Sequence, residues 1–205
     1  MRQKNTRIAL ILLFVIILLD QGLKIWIKTN MFLGEEFNVI GDWFKIHFTE
    51  NKGMAFGIEI AGEKGKLFLT LFRIIAAVVI GWFLHKIIKQ KASTGVVISI
   101  TLILAGAIGN IIDSTFYGII FNNSHFQVAS LLPNGGGYAP LFHGRVVDML
   151  YFPIINTNLP DWLPFFGGRH FIFFRPVFNI ADSAITIGVL SILLFHKTYF
   201  KHNEL

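Results

Sequence analysis

The chain has 205 residues, is 54% hydrophobic with a mean hydropathy of +0.62, and carries 22 Phe, no Cys and a formal net charge of +6. Only 15% of its residues are charged, against about 25% in an ordinary soluble domain, which argues against a water-soluble protein and excludes a disordered one. The lack of Cys removes disulfides, thiolate nucleophiles and Cys-based metal sites, and no basic face on a soluble domain is present to bind nucleic acid.

Roughly 20 apolar residues cross a bilayer, and four segments meet that length, at approximately 8–27, 67–86, 95–113 and 178–196. The first is unbroken from Ile8 to Leu19 and continues across Asp20 and Lys24 to Ile27. Its basic start is signal-peptide-like, but no small-x-small cleavage site follows, so it reads as an uncleaved span. Glu36–Phe48 then carries Phe37, Val39, Trp43, Phe44, Ile46 and Phe48 in partial alternation broken at Gly41-Asp42, which predicts short strands at the outer interface. A polar, glycine-bearing turn, Glu50–Gly57, follows. The second span is interrupted by one charge, Arg73, and the third is uncharged and ends on Asp113. Beyond it, Asp148 stands between Val-Val and Met-Leu, an odd setting for a solvated loop. Phe165–Phe174 is too short to span and is broken by Gly167, Gly168 and Arg169, so it reads as a surface or interfacial segment. Asp182 lies in the first turns of the fourth span.

The fold class expected is an α-helical membrane protein forming one integral membrane domain over residues 1–205. It has four transmembrane helices, a small extracytoplasmic β-rich region between spans one and two, and an enlarged outer loop between spans three and four. Lys and Arg set its orientation. Arg2, Lys4 and Arg7, the connection His85–Lys91, and the tail with Lys197 and Lys201 fall on one side, so both termini face the cytoplasm.

On that topology Asp20, Asp113 and Asp182 reach the same depth near the outer leaflet, accompanied by Asn110 and Asn179. Carboxylates at membrane depth are costly and usually turn toward a pathway or site. Asn110 and Asp113 share a helix face, as do Asn179, Asp182 and Thr186. Gly106, Gly109, Ala181 and Gly188 leave room for those helices to approach. No metal-protease, serine-hydrolase or nucleotide-binding motif is present, and the seven His lack ligand spacing. Two carboxylates sharing one proton can activate a water for peptide hydrolysis. Proton-coupled transport by a small membrane protein is the alternative use of such acids. Depth alone pairs Asp113 with Asp182 and leaves Asp148 in a loop.

Five blocks in order resemble those of the lipoprotein signal peptidase (signal peptidase II) family. They are Asp20-Gln21 with Lys24, Glu50-Asn51-Lys52-Gly53-Met54-Ala55-Phe56-Gly57, Gly106–Asp113, Gly144-Arg145-Val146-Val147-Asp148, and Phe178-Asn179-Ile180-Ala181-Asp182-Ser183. The resemblance implies a bacterial inner-membrane aspartyl protease that acts, without metal or cofactor and as a monomer, on diacylglyceryl-modified prolipoproteins in contact with membrane lipid. It implies catalytic Asp148 and Asp182. Asn51, Asn110, Asp113 and Asn179 would orient that pair or hold substrate, and Asp20 would have a structural role nearby. Two departures stand out. The family places Arg directly after the aspartate of the third block, where this chain has Ser114; Arg145 and Arg175 are the alternatives for supplying that charge. Asp113 and Asp148 are also 35 positions apart, where the family has a short turn. The extra segment, about 115–143, reads as an outer loop: a lid, a substrate-contact elaboration or a neutral decoration.

Overall fold

The computed structural model describes residues 1–52 and 62–200. Gly53–Gly57 of the second block and Lys201 of the basic tail lie outside the described residues.

Helix α1, Arg2–Asn30, is followed by strands β1, Glu36–Ile40, and β2, Phe44–Asn51, with the turn at Gly41-Asp42 where the alternation breaks. Helices α2, Gly62–Lys89, and α3, Thr94–Ile112, come next. The predicted end of span three at Asp113 is overrun. A π-helical turn, Asp113–Tyr117, and a short helix α4, Gly118–Ile120, carry the chain one element further. Strand β3, Val146–Tyr151, a hairpin of β4, Ile155–Asn158, and β5, His170–Phe173, then β6, Val177–Phe178, and α5, Ile180–Phe200, complete the order. Three helical stretches are long and apolar enough to cross a membrane, Arg2–Asn30, Lys64–Lys89 and Thr94–Ile120, while the fourth predicted span is a shorter apolar run, Ile180–Phe195. Their outward side chains are apolar and open, with Phe68 72% and Leu194 73% exposed. Such surfaces suit hydrocarbon, where backbone polar groups must be satisfied within the helix.

The sheet is antiparallel in the order β1-β2-β3-β6. The loop reading of Asp148 is thereby corrected: it lies in a central strand. Val147 and Met149 enter an apolar core with Ile27, Met31, Phe48, Tyr117 and Phe121, and the two-residue period turns Asp148 to the opposite face. Part of the 115–143 segment is built into this core, while Phe126 and Leu132 stay exposed. Tyr117, Phe121 and Ala129 are buried in that same core, and Ala129 N–H donates to the Lys28 carbonyl near the C-terminal end of α1. A second apolar cluster, with Ala9, Leu84, Ile88, Val97 and Leu104, joins α1, α2 and α3 nearer the chain's N-terminal end. The hairpin lies at the surface as expected for this stretch, with Phe165 90% exposed.

Two glycines set the helix spacing. A Cβ on Gly106 of α3 would strike the carbonyl oxygen of Ala181 on α5, and one on Gly109 would stand 2.6 Å from Asp20 Oδ2. Gly106→Ala should therefore destabilise the protein by about 1–3 kcal/mol, the usual cost of overpacking, and displace Asp182. A thermal midpoint in detergent checks this. Gly22→Ala, where nothing lies within 4 Å, should leave the midpoint unchanged.

Candidate active site

One face of α1 presents Asp20, Lys24, Ile27 and Lys28, all buried, as spacings of three and four residues dictate. Lys24 Nζ lies 2.9 Å from Asp20 Oδ2, 2.8 Å from Asp113 Oδ2 and 3.0 Å from Asn110 Oδ1. Three acceptors match the three protons of an ammonium group. The carboxylates have further duties. Asp20 Oδ1 accepts the Ala181 N–H at 2.9 Å, satisfying a free donor in the first turn of α5. Asp113 Oδ2 accepts the Val147 N–H at 3.1 Å, tying α3 to β3. Gln21 Nε2 donates to Asp113 Oδ1 at 2.9 Å and to Asp20 Oδ2 at 3.0 Å, and Gln21 Oε1 accepts from Tyr117. Asp113 is thus an anchor neutralised by Lys24, which corrects its pairing with Asp182 on depth alone.

The remaining two aspartates are joined by asparagines. Asn179 Nδ2 donates to Asp148 Oδ1 at 2.7 Å and reaches Asn110 Oδ1 at 3.1 Å. Asn110 Nδ2 donates to Asp182 Oδ1 at 2.8 Å. A continuous line from Lys24 through the two amides therefore ends on both carboxylates. Asn179 also caps α5, its Oδ1 accepting the Asp182 N–H at 2.8 Å. The pairing of Leu150 with Phe178 between β3 and β6 fixes where this cap meets β3. Asp148 is only 4% exposed. Burial pushes its carboxyl up to about 7, and the nearby Asp182 charge adds to the rise. Asp182 is half-buried and opens onto a groove of about 410 Å³ lined by Phe174, Pro176, Phe178, Ser183, Thr186 and Ile187.

Asn51 ends β2 opposite Val146, in the same ladder that sets Thr49 opposite Asp148. Arg145 does not meet the pair. Its Nη1 donates to Glu50 Oε2 at 2.8 Å and its guanidinium lies 5.0 Å over the Tyr138 ring. Glu50 also binds Lys28 Nζ at 2.6 Å. Burial alone would raise the Glu50 carboxyl, but Lys28 and then Arg145 outweigh it and hold it below the usual range. Arg175 is exposed. The cation beside Ser114 is instead Arg73 of α2, whose Nη1 donates to Ser114 Oγ at 3.4 Å. Sequence reasoning noted Arg73 without assigning it to the site. The signal was there, since a lone charge within a span marks a functional position. Lys28 and Glu50 were missed as well, although Lys28 extends the Asp20–Lys24 spacing by one more turn.

The family model of Signal peptidase (SPase) II matches residues 12–198. A lipoprotein signal peptidase of Porphyromonas gingivalis is 52% identical over 194 residues, covering 94% of this chain and 84% of the relative. That of Amoebophilus asiaticus is 39% identical, covering 87% and 72%. A solved bacterial membrane enzyme superposes with a TM-score of 0.59 at 26% identity, covering 91% of this chain and 90% of that one. With the match running through every element that builds the site, the chain belongs to the signal peptidase II family.

Proposed function

We propose that the chain is an aspartic endopeptidase that removes the signal peptide of prolipoproteins, cutting N-terminal to the diacylglyceryl-modified cysteine, with Asp148 and Asp182 as its catalytic pair. The carrying observation is the amide line, in which Asn179 holds Asp148 and Asn110 holds Asp182 while the two asparagines bind each other. Its direct relatives are lipoprotein signal peptidases, and they give the transport reading no support.

Each carboxylate has one oxygen fixed by an amide, and among the described residues the second has no hydrogen-bond partner, so it faces water and substrate. Asp148, buried and raised to about 7, carries the shared proton. Asp182, at the groove, takes a proton from water as the oxygen attacks the scissile carbonyl. Asp148 gives its proton to the carbonyl oxygen. The tetrahedral intermediate then collapses as Asp182 protonates the leaving nitrogen and Asp148 takes back the proton of one hydroxyl of the gem-diol, which restores the singly protonated pair. The extended peptide lies in the groove against Phe174, Pro176 and Phe178, with Asn51 at the end of β2 in the same sheet. The acyl chains stay in lipid along the apolar outer face of α5, where Leu190, Leu193 and Leu194 are open. In this arrangement α5 is the fourth crossing, both termini face the cytoplasm, and the site opens at the outer surface of the inner membrane.

Purified protein incubated with a diacylated prolipoprotein, and with its Cys→Ala form that cannot be lipidated, tests the substrate class. Cleavage of the first alone is expected; equal cleavage of both overturns the class. The proton on Asp148 also sets a pH limit. A carboxyl raised to about 7 is protonated below that pH and loses its proton above it, so the general acid disappears as pH rises. The pair titrates as a unit, and kcat/KM in nanodiscs should fall through a limb near pH 7. A profile flat to about pH 9 would contradict that assignment.

A further inference from the structure

Between Leu67 and Leu84 of α2, Arg73 is the one charged residue. A guanidinium at this depth needs negative partners, yet among the described residues no carboxylate comes within ion-pair distance of it. Its hydrogen bond is to the fully buried Ser114 hydroxyl at 3.4 Å. The negative charges acting on it are, in order, Asp182, Asp148 and Asp113. Asp113 already holds Lys24 at 2.8 Å, so the attraction left uncommitted belongs to the catalytic pair. Of the two cations the sequence offered for this place, Arg145 is spent on Glu50 and Arg175 is exposed.

We infer that Arg73 is a positioning residue for the Asp148–Asp182 pair. From α2 its guanidinium, held beside Ser114, keeps the pair from binding a second proton. The inference rests on the aspartic reading above. A positive charge facing two carboxylates favours the singly protonated state over the doubly protonated one, which leaves one carboxylate free to act as base. The other charges facing the pair are Lys24 of α1 and Asp113 at the end of α3. Lys66, about two turns before Arg73 on α2, acts on Arg73 as a like charge, as Arg145 does on Lys66. Removing Arg73 leaves all of these in place, so a change in the pair's titration reports on Arg73 itself.

The test uses the full chain in nanodiscs with diacylated prolipoprotein as substrate. Cleavage by the unsubstituted protein establishes the parent reading; its absence would defeat that reading rather than this one. Arg73→Gln should lower kcat by about tenfold or more, the scale of losing one aligned electrostatic group, with KM changed less than about twofold. The acid limb of its pH profile should move to higher pH. Arg73→Lys should retain most of the activity. Arg73→Ala/Ser114→Arg, which moves the guanidinium across the observed hydrogen bond into the space vacated, should recover activity over Arg73→Ala. A folded Arg73→Gln with the original kcat and acid limb overturns the proposal. So does a folded Arg73→Lys no better than Gln. Circular dichroism and the thermal midpoint certify folding, and Arg73→Lys carries the test if the Gln variant fails to fold.

Discussion

Asp148→Asn and Asp182→Asn are each expected to reduce kcat by about 10³-fold or more, the upper scale of general acid–base catalysis, while leaving the thermal midpoint close to that of the unsubstituted protein. The small structural effect follows from the hydrogen bonds. Each carboxylate accepts one asparagine N–H, from Asn179 at 2.7 Å or Asn110 at 2.8 Å, and the carbonyl oxygen of a substituted amide accepts the same bond. Neither aspartate is ion-paired among the described residues, and in each single variant the other aspartate still faces Arg73, so no buried cation is left without a negative charge. Asp148→Asn removes an acid that burial holds near 7 and replaces it with a neutral amide that cannot pass a proton to a developing oxyanion. Initial rates on a diacylated prolipoprotein, with circular dichroism in parallel, check both halves. A full loss of activity accompanied by unfolding would move these residues from chemistry to scaffold.

Lys24→Met should have the opposite signature, a large loss of stability. Lys24 is completely buried, and its ammonium is held by Asp20 and Asp113, themselves 1% and 0% exposed. Met matches its length but leaves two carboxylates buried without a cation. Breaking a buried ion pair from one side costs about 3–5 kcal/mol. The damage reaches the site because Asp20 holds the first turn of α5 and Asp113 holds β3. Chemical unfolding in detergent should show the loss. Lys24→Met/Asp113→Asn should be less destabilised than the sum of the two single variants, since the second substitution removes a charge the first left unpaired. Strict additivity would mean that the two groups do not depend on one another.

Why the sequence revealed some elements and hid others follows from how each is buried. α1, α2 and the body of α3 were legible because their lipid-facing surfaces are apolar along their whole length. β1 and β2 were legible because alternation is kept up to the Gly41-Asp42 turn. β3 was not, because Val146, Val147, Asp148 and Met149 are buried on both faces of the sheet and show no two-residue period. The overrun of α3 was hidden for an electrostatic reason. Asp113 reads as a helix end at the headgroups, but Lys24 neutralises it and the backbone continues to Ile120. Asn110, Asn179 and Asp182 could be grouped by helical spacing, whereas Asp148 joined them only through the family resemblance, since strand pairing brings it there. Arg73 was visible as a lone charge, but its place beside Ser114 depends on α2 packing against the end of α3, which no local spacing encodes.

In the proposed mechanism Asp148 and Asp182 act as one device on one water. The kcat values of Asp148→Asn, Asp182→Asn and Asp148→Asn/Asp182→Asn on the same diacylated prolipoprotein decide whether they do. Residues that work as a unit give grossly non-additive losses. The double variant should therefore retain about the same residual rate as either single one. Losses that multiply, with the double variant slower by the product of the two single effects, would contradict the shared-proton pair.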